Sequence, residues 1–533
     1  MSSIDLNFRT EDIAPDEIDQ FFIEMPNDRS TIDTLKTKRT VIIQGARGVG
    51  KSFLLRVAQR ELDREFESDR VLPVYITFNK AGLLRTSDPE KFKHWMLAKI
   101  CNRIIRTSRQ KGLVGAASTV FSSLIADNSD GAVESRLGEL EAKLESSWRT
   151  PDASVDFDSG INPEDITDAI EDLCASTSLK RIVLLIDEAA HVFIPEQQRQ
   201  FFTLIRDLRT PYLSVKAAVY PGVTYFGDSF QLNHDAELID VNRDILEAGY
   251  LSSMREMVAR QDGTLASAIE RYGEAFDALA FSASGNPRIL LRTVSSAMPF
   301  NTSNVQKVMK EYYRDRIWSE HTDLGDRYSG HRNIIDWGRE FITRTVIPAL
   351  DGAKGGSGID RRVFLWIHRD APASVREALR LLCYSGVLHE AGTGLVATRG
   401  EIGSRYMLNI GTRTGLANNP VSMTTDLRQS VSIKRMIEFG ANHPSYVKIA
   451  RVDVDSLDSN GNEILDRQLS RSVDALELTY FCRSKLKELG FDTVGKALGA
   501  SEHDFQQAKW VGPVRSRQMM NAATAAVLEY LSG

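Results

Sequence analysis

The octapeptide Gly45-Ala-Arg-Gly-Val-Gly-Lys-Ser52 constrains this chain more than any other stretch. It follows an apolar run, Thr40-Val-Ile-Ile-Gln44. After it comes an amphipathic segment with Phe53, Leu54, Val57, Ala58 and Leu62 on one side. A strand that stops at a glycine-rich turn and continues as a helix aims successive backbone N–H groups at an anion. The helix N-terminus adds partial positive charge at the same place. The spacing GxxxxGK[ST], in this strand–turn–helix context, is that of a P-loop. Gly45, Ala46, Arg47, Gly48, Val49, Gly50, Lys51, Ser52 and Phe53 are therefore the expected ATP-binding residues. Lys51 is expected to reach the β and γ phosphates, and Ser52 to ligate Mg2+.

Three further strand-like runs, 71–78, 181–187 and 214–220, alternate with helical stretches, which implies a parallel sheet covered on both faces. The run Arg181-Ile-Val-Leu-Leu-Ile-Asp-Glu188 delivers two carboxylates at the C-terminal end of a buried strand, the edge where open α/β sheets bind ligands. Asp187 is expected in the Mg2+ shell, and Glu188 as the base that activates water. An Asp-Glu pair after an apolar strand also arises at helix N-caps; the complete P-loop upstream is what gives it meaning. His191, just beyond, reads as a packing or solvent-facing residue.

A chain of 533 residues exceeds one hydrophobic core, so three or four domains are expected. A net charge of −6 excludes a globally basic nucleic-acid binder and leaves only local surfaces. The four cysteines form no CxxC pair, which argues against a zinc ribbon or a disulfide framework. The acidic first residues do not read as a signal peptide, and no apolar run approaches the roughly 20 residues of a membrane span. A cytoplasmic protein with no membrane partner is the expectation. Asp458-Ser-Asn-Gly461 is similar to part of a calcium loop, but alignment on Gly461 puts Ser456 first and Arg467 last, without the bidentate acid, so it reads as a turn.

With Ser284-Gly-Asn-Pro-Arg288 added, the P-loop and the Ile-Asp-Glu strand end resemble the AAA+ and STAND ATPases, most nearly the origin-recognition type, over about residues 20–310. That resemblance implies a Mg2+-dependent, oligomeric ATPase. It assigns Arg288, in a helical lid, to the γ-phosphate, and Arg206 or Arg209 to the ATP of a neighbouring subunit. It also calls for a polar residue at the tip of the fourth strand, where this chain has Tyr220-Pro-Gly-Val-Thr224. Proteins of this layout in bacteria often belong to mobile-element or anti-phage systems, and the resemblance carries that implication too.

The expected organisation is a lead-in at 1–26, an α/β P-loop NTPase core (parallel sheet, AAA+-like) at 27–244 with a helical insertion at 85–160, and a helical lid at 245–330. A winged-helix-like domain at 331–450, a linker at 451–472 and a small all-α helix-hairpin-helix domain at 473–533 follow. Three stretches are candidates for nucleic acid, double-stranded DNA first. Residues 91–111 carry seven Lys or Arg and no acid, with Phe92, Trp95, Met96 and Ile100 on one helical face and Lys99, Arg103 and Arg106 on another. In the winged-helix-like domain, helix 373–385 is expected to enter a groove with Arg376 and Arg380, and the following hairpin, 394–398 and 404–410, to carry Arg399 and Arg405. The third, 476–531, resembles tandem helix-hairpin-helix modules such as the C-terminal domain of the RNA polymerase alpha subunit, through Leu486-Lys-Glu-Leu-Gly-Phe-Asp-Thr-Val494 and Trp510-Val-Gly-Pro-Val-Arg-Ser-Arg517. Gly512, Arg515 and Arg517 are its implied phosphate contacts, while Phe481 stands where the polymerase domain reads DNA with arginine.

The expectation is thus an ATP-driven homo-oligomer that couples hydrolysis to DNA. Its rivals are an ATP-controlled signalling switch whose C-terminal modules bind a protein partner, and a scaffold that holds ATP without turning it over.

Overall fold

The strand entering the P-loop, Val41–Gln44 (β1), lies inside a five-stranded sheet with Val71–Thr77 (β2), Arg181–Asp187 (β3), Leu213–Val219 (β4) and Glu237–Asp240 (β5). The spatial order is β2-β3-β4-β1-β5, and every pairing is parallel. Parallel strands need helical crossovers, so both faces are covered and the inner strands can be apolar throughout. Val41, Ile42 and Ile43 are fully buried, as are Ile182 through Leu185. The P-loop helix, Lys51–Arg64, packs on one face; helices Pro89–Gln110, Pro163–Thr177 and Pro195–Asp207 cover the other. This computed structural model describes residues 6–78, 89–113, 133–145, 162–187, 195–222, 224–327, 330–352, 354–355, 358–359, 362–398, 400–433, 435–454, 466 and 468–531.

The sheet fixes the site by topology. β4 lies between β1 and β3, so Tyr220, directly after β4, follows the strand that separates the P-loop strand from the one ending in Asp187. The fifth strand was not expected from the sequence. It is only four residues long and alternates in burial, as an edge strand does. The N-terminal segment is not a loose lead-in either. Leu6, Ile13, Ile18, Ile23 and Met25 are buried, because this segment wraps the P-loop helix and the lid.

Beyond the sheet the chain is helical from Tyr250 to Ser296 and onward through Ile317–Arg327 and Arg332–Phe341. Strand Phe364–His368, helix Ala373–Tyr384 and the hairpin Leu388–Val396 with Ile402–Leu408 follow, joined by Met436–Phe439 into one four-stranded sheet. The hairpin starts earlier and is longer than expected, and Ile410 opens a short helix instead of closing the strand. The last domain has its own core of Val473, Leu476, Cys482, Leu486, Phe505, Met519 and Val527 around helices Tyr480–Glu488, Val494–Gly499, Glu502–Gln506 and Pro513–Leu531. Thr479, Thr493 and Ser501 cap the first three, each accepting a backbone N–H with its hydroxyl. All four cysteines are free and buried. Among the described residues, no helix is long and apolar enough to cross a membrane.

Candidate functional site

Gly48 and Gly50 hold the P-loop in shape with φ of +86° and +104°, a region closed to most side chains. The loop is fastened at three points. The Ala46 amide donates to Asn242 Oδ1 at 2.9 Å, just past β5. Asn286 Nδ2 donates to the Arg47 carbonyl at 2.7 Å. The Arg288 amide donates to the Gly48 carbonyl at 3.4 Å. Asn286 also caps the lid helix Pro287–Ser296 by accepting from the Ile289 amide, so one side chain ties helix start to loop. A methyl group on Gly48 would meet Asn286 Oδ1 at 2.6 Å and Arg288 Cβ at 2.8 Å. The segment Ser284 to Arg288 therefore lies on the P-loop itself.

Lys51 is 5% exposed and turns back into the loop, where Nζ donates to the Gly45 carbonyl at 2.7 Å and to the Ala46 carbonyl at 3.1 Å. Its ammonium stands 3.8 Å from the centre of the Tyr220 ring. Tyr220 thus meets the P-loop lysine with its ring face, a cation–π contact, at the place where a polar side chain was expected. Thr224 spends its hydroxyl on the Tyr220 carbonyl at 2.8 Å. Phe53 stacks on Phe22 of the N-terminal segment at 6.1 Å. Arg47, Gly48, Val49, Gly50, Lys51, Ser52, Phe53, Tyr220 and Arg288 all line one cavity of ≈ 210 Å³.

Asp187 is 2% exposed and accepts a hydrogen bond from the Tyr75 hydroxyl at 2.6 Å. Burial, with the Asp187 charge beside it, pushes the Tyr75 phenol well above its ordinary range, so it remains a donor. Arg56, on the P-loop helix, covers the Tyr75 ring at 3.4 Å. Neither Tyr75 nor Arg56 carries a motif; the pairing of β2 with β3 brings Tyr75 to Asp187, and the packing of the P-loop helix on β2 brings Arg56 to Tyr75. Glu188 and His191 lie outside the described residues.

The residues present fit a magnesium nucleotide. The glycine cradle and Lys51 suit phosphate oxygens, and Ser52 with Asp187 supplies hard oxygen donors. Among the described residues, no cluster of three His, Cys, Asp or Glu could hold a metal by itself.

The remaining candidates stand elsewhere. Arg206 pairs with Asp207 at 2.9 Å and donates to the Ser229 carbonyl, and Arg209 lies 3.5 Å from Asp235. Both precede the first residue of β4, at the sheet edge opposite the P-loop, so neither reaches the nucleotide site of its own chain. Lys99 points into the protein. Its ammonium, 11% exposed, lies 2.5 Å from Glu145 and 3.0 Å from Glu141, on the helix Val133–Glu145. Arg103 donates to the Tyr75 carbonyl at 2.8 Å, and Arg106 is exposed.

Helix Ala373–Tyr384 leaves Arg376 exposed but turns Arg380 towards the core. Ser374, Val375, Ala378, Leu379, Leu381 and Leu382 are buried, and Arg380 is clamped between Glu377 and the Gly222 carbonyl of the core. Burial alone would raise the Glu377 carboxyl, but bonds from His331 and Arg380 outweigh it and hold it at about 2. Arg376 donates to the Arg369 carbonyl, Arg405 to the Ile433 and Ala391 carbonyls, and Arg399 lies outside the described residues. In the last domain, Arg515 donates to the Trp510 carbonyl at 2.7 Å, and Arg517 lies 3.7 Å from Glu502. Gly512 precedes both and follows Trp510, which is 72% exposed at φ +72°.

Residues 6–105 match the family model ORC-CDC6-like, well under half of the chain but including the N-terminal segment, the P-loop and most of the basic helix. No curated protein sequence matches. Among solved structures, a Walker-type ATPase of Pyrococcus abyssi is 15% identical over 80% of this chain and all of that one, with a TM-score of 0.36. The ORC1 protein of Aeropyrum pernix in complex with DNA is 12% identical over 78% of this chain and 95% of its own, at 0.29. RuvB of Thermotoga maritima is 15% identical over 72% and 92%, at 0.28. The α/β P-loop core of this chain rests on its own sheet and loop.

Proposed function

We propose that this chain is a Mg2+-dependent ATPase of the AAA+ type that acts as a homo-oligomer and couples its nucleotide state to DNA. One observation carries the reading: Lys51, Ser52 and Arg288 line a single cavity, in a P-loop whose lid is bonded directly to it. The P-loop amides and Lys51 bind and orient the phosphates. Ser52 and Asp187 would hold Mg2+, which supplies charge neutralisation between phosphate oxygens. Glu188 accepts the proton of the attacking water, and Arg288 stabilises charge that builds on the transferred group. Arg206 or Arg209 acts on the site of a neighbouring subunit.

The test is nucleotide binding and turnover in the full chain. Lys51→Ala should weaken ATP binding at least a hundredfold. Glu188→Gln should bind as wild type and lose turnover by two orders of magnitude or more, as expected when a general base is removed. Full turnover in Glu188→Gln removes that residue from the mechanism.

A second reading, the ATP-controlled switch, is supported by helix Ala373–Tyr384. Tyr384 meets Tyr220 edge-on at 6.5 Å, and Tyr220 in turn contacts Lys51. This chain of contacts runs from the phosphate lysine into the C-terminal half. DNA-stimulated turnover favours the machine, and turnover indifferent to DNA favours the switch.

A further inference from the structure

The nucleotide cavity is not closed by the core and the lid alone. Asn521, Thr524 and Ala525 of the terminal helix Pro513–Leu531 line it together with Gly48, Lys51 and Arg288. A second cavity of ≈ 220 Å³ shares Arg9, Arg47, Arg288 and Ala525 with the first and runs on to Glu477, at the start of the same domain. Glu477 is held by three guanidinium groups from three different elements. Oε2 meets Arg9 at 3.4 Å and also Arg292, and Oε1 meets Arg316 at 2.9 Å. Arg9 belongs to the N-terminal segment that walls the first cavity. Arg292 is one helical turn beyond Arg288 on the lid. Arg9 and Arg292 are 13% and 15% exposed, whereas Glu477 and Arg316 are 45% and 47% exposed, so the clasp is sheltered on its inner side and open to water on its outer one.

We propose that the terminal domain is part of the nucleotide site. Asn521 and Thr524 supply its outer wall, and the clasp on Glu477 keeps that wall in place, so that a nucleoside triphosphate enters or leaves only when the terminal domain lifts. The proposal rests on the ATP reading above. Its physical content is linkage. A ligand that contacts both the P-loop and the terminal helix binds the docked form better than the lifted one, and so shifts that equilibrium. A ligand that binds the lifted form better than the docked one, such as a nucleic acid on the Gly512 hairpin, loosens the nucleotide by the same factor by which the nucleotide weakens that ligand. Glu477 senses the lid because Arg288 and Arg292 share one face of its helix, so a lid rotation that moves one moves the other.

The experiment is stopped-flow release of a fluorescent ATP analogue from the full-length chain. Glu477→Lys should speed release at least tenfold by setting a fourth cation among three. The charge swap Glu477→Lys with Arg292→Glu should recover most of the wild-type rate. Asn521→Ala with Thr524→Val should weaken affinity several-fold, with Glu477 and its clasp intact. Amide exchange in 513–531 should slow when the analogue is added to wild type. Release rates and affinities within twofold of wild type in all these variants, with Lys51→Ala still abolishing binding, overturn the proposal and leave the ATP reading standing. Wild type that binds no analogue overturns both.

Discussion

At the scale of single residues, the most consequential contact is one that no motif announces. Asp187 is buried, and one of its oxygens is committed to the Tyr75 phenol. A buried carboxylate that loses a donor bears a desolvation cost of about 1–3 kcal/mol. Tyr75→Phe should therefore lower the thermal midpoint of the full chain, and Mg·ATP should restore part of the loss by giving Asp187 a cation. An unchanged midpoint with unchanged Mg2+ dependence would mean that the phenol does not support Asp187. Lys51 shows the same dependence on unannounced neighbours. Its identity is written in the P-loop, but its contact with the Tyr220 ring is decided by β4, which the sheet inserts between the two halves of the site.

Among elements, the joint between the lid and the four-stranded sheet is recorded by His321. On helix Ile317–Arg327, its Nδ1 lies 2.9 Å from the Ser385 hydroxyl and its Nε2 3.2 Å from the Ile335 carbonyl, so one ring bridges three segments. Burial lowers its pKa from 6.5 to about 4. Between those two values the unfolded chain takes a proton that the folded chain refuses, so stability falls as pH falls from about 6.5 to 4 and changes no further from this cause below that. At about 1.4 kcal/mol per pH unit, this histidine accounts for a loss of about 3 kcal/mol across the window. Thermal midpoints of wild type and His321→Gln, compared at pH 7, 5.5 and 4, should converge towards acid. A constant difference at all three pH values would show that His321 does not titrate in that window.

Over the whole molecule, charge is spent largely on holding parts together. The basic helix Pro89–Gln110 looks in sequence like a one-sided surface for an anionic partner, yet Lys99 is neutralised by two glutamates about forty residues away. Arg380 likewise joins the C-terminal half to the core. The Gly512 hairpin with Arg515 and Arg517 is the better-exposed DNA candidate, and an exposed Trp510 in left-handed backbone marks it further. Arg515→Gln with Arg517→Gln should weaken DNA binding and reduce the log–log salt slope by about 0.9 per lost contact, up to about 1.8. Lys99→Gln should leave that slope alone and cost stability instead. If Lys99→Gln flattens the slope while the hairpin pair does not, the basic helix is the DNA surface after all.

The sequence by itself determined what depends on consecutive residues. The glycine pattern, the apolar strand before it and the Asn-Pro-Arg turn are local stereochemistry, because a P-loop needs left-handed glycines and Asn286 needs only the next three residues to cap a helix. The α/β sheet was legible for the same reason, through continuous apolar runs that only a doubly covered sheet buries. The short edge strand β5 was not, since four alternating residues carry too little period to stand out. Tertiary structure alone decided which charges face water, what closes the nucleotide cavity and where the N-terminal segment goes. Those outcomes are set by contacts such as Arg9 with Glu477, 468 residues apart, and no local periodicity encodes the partner of a charged side chain.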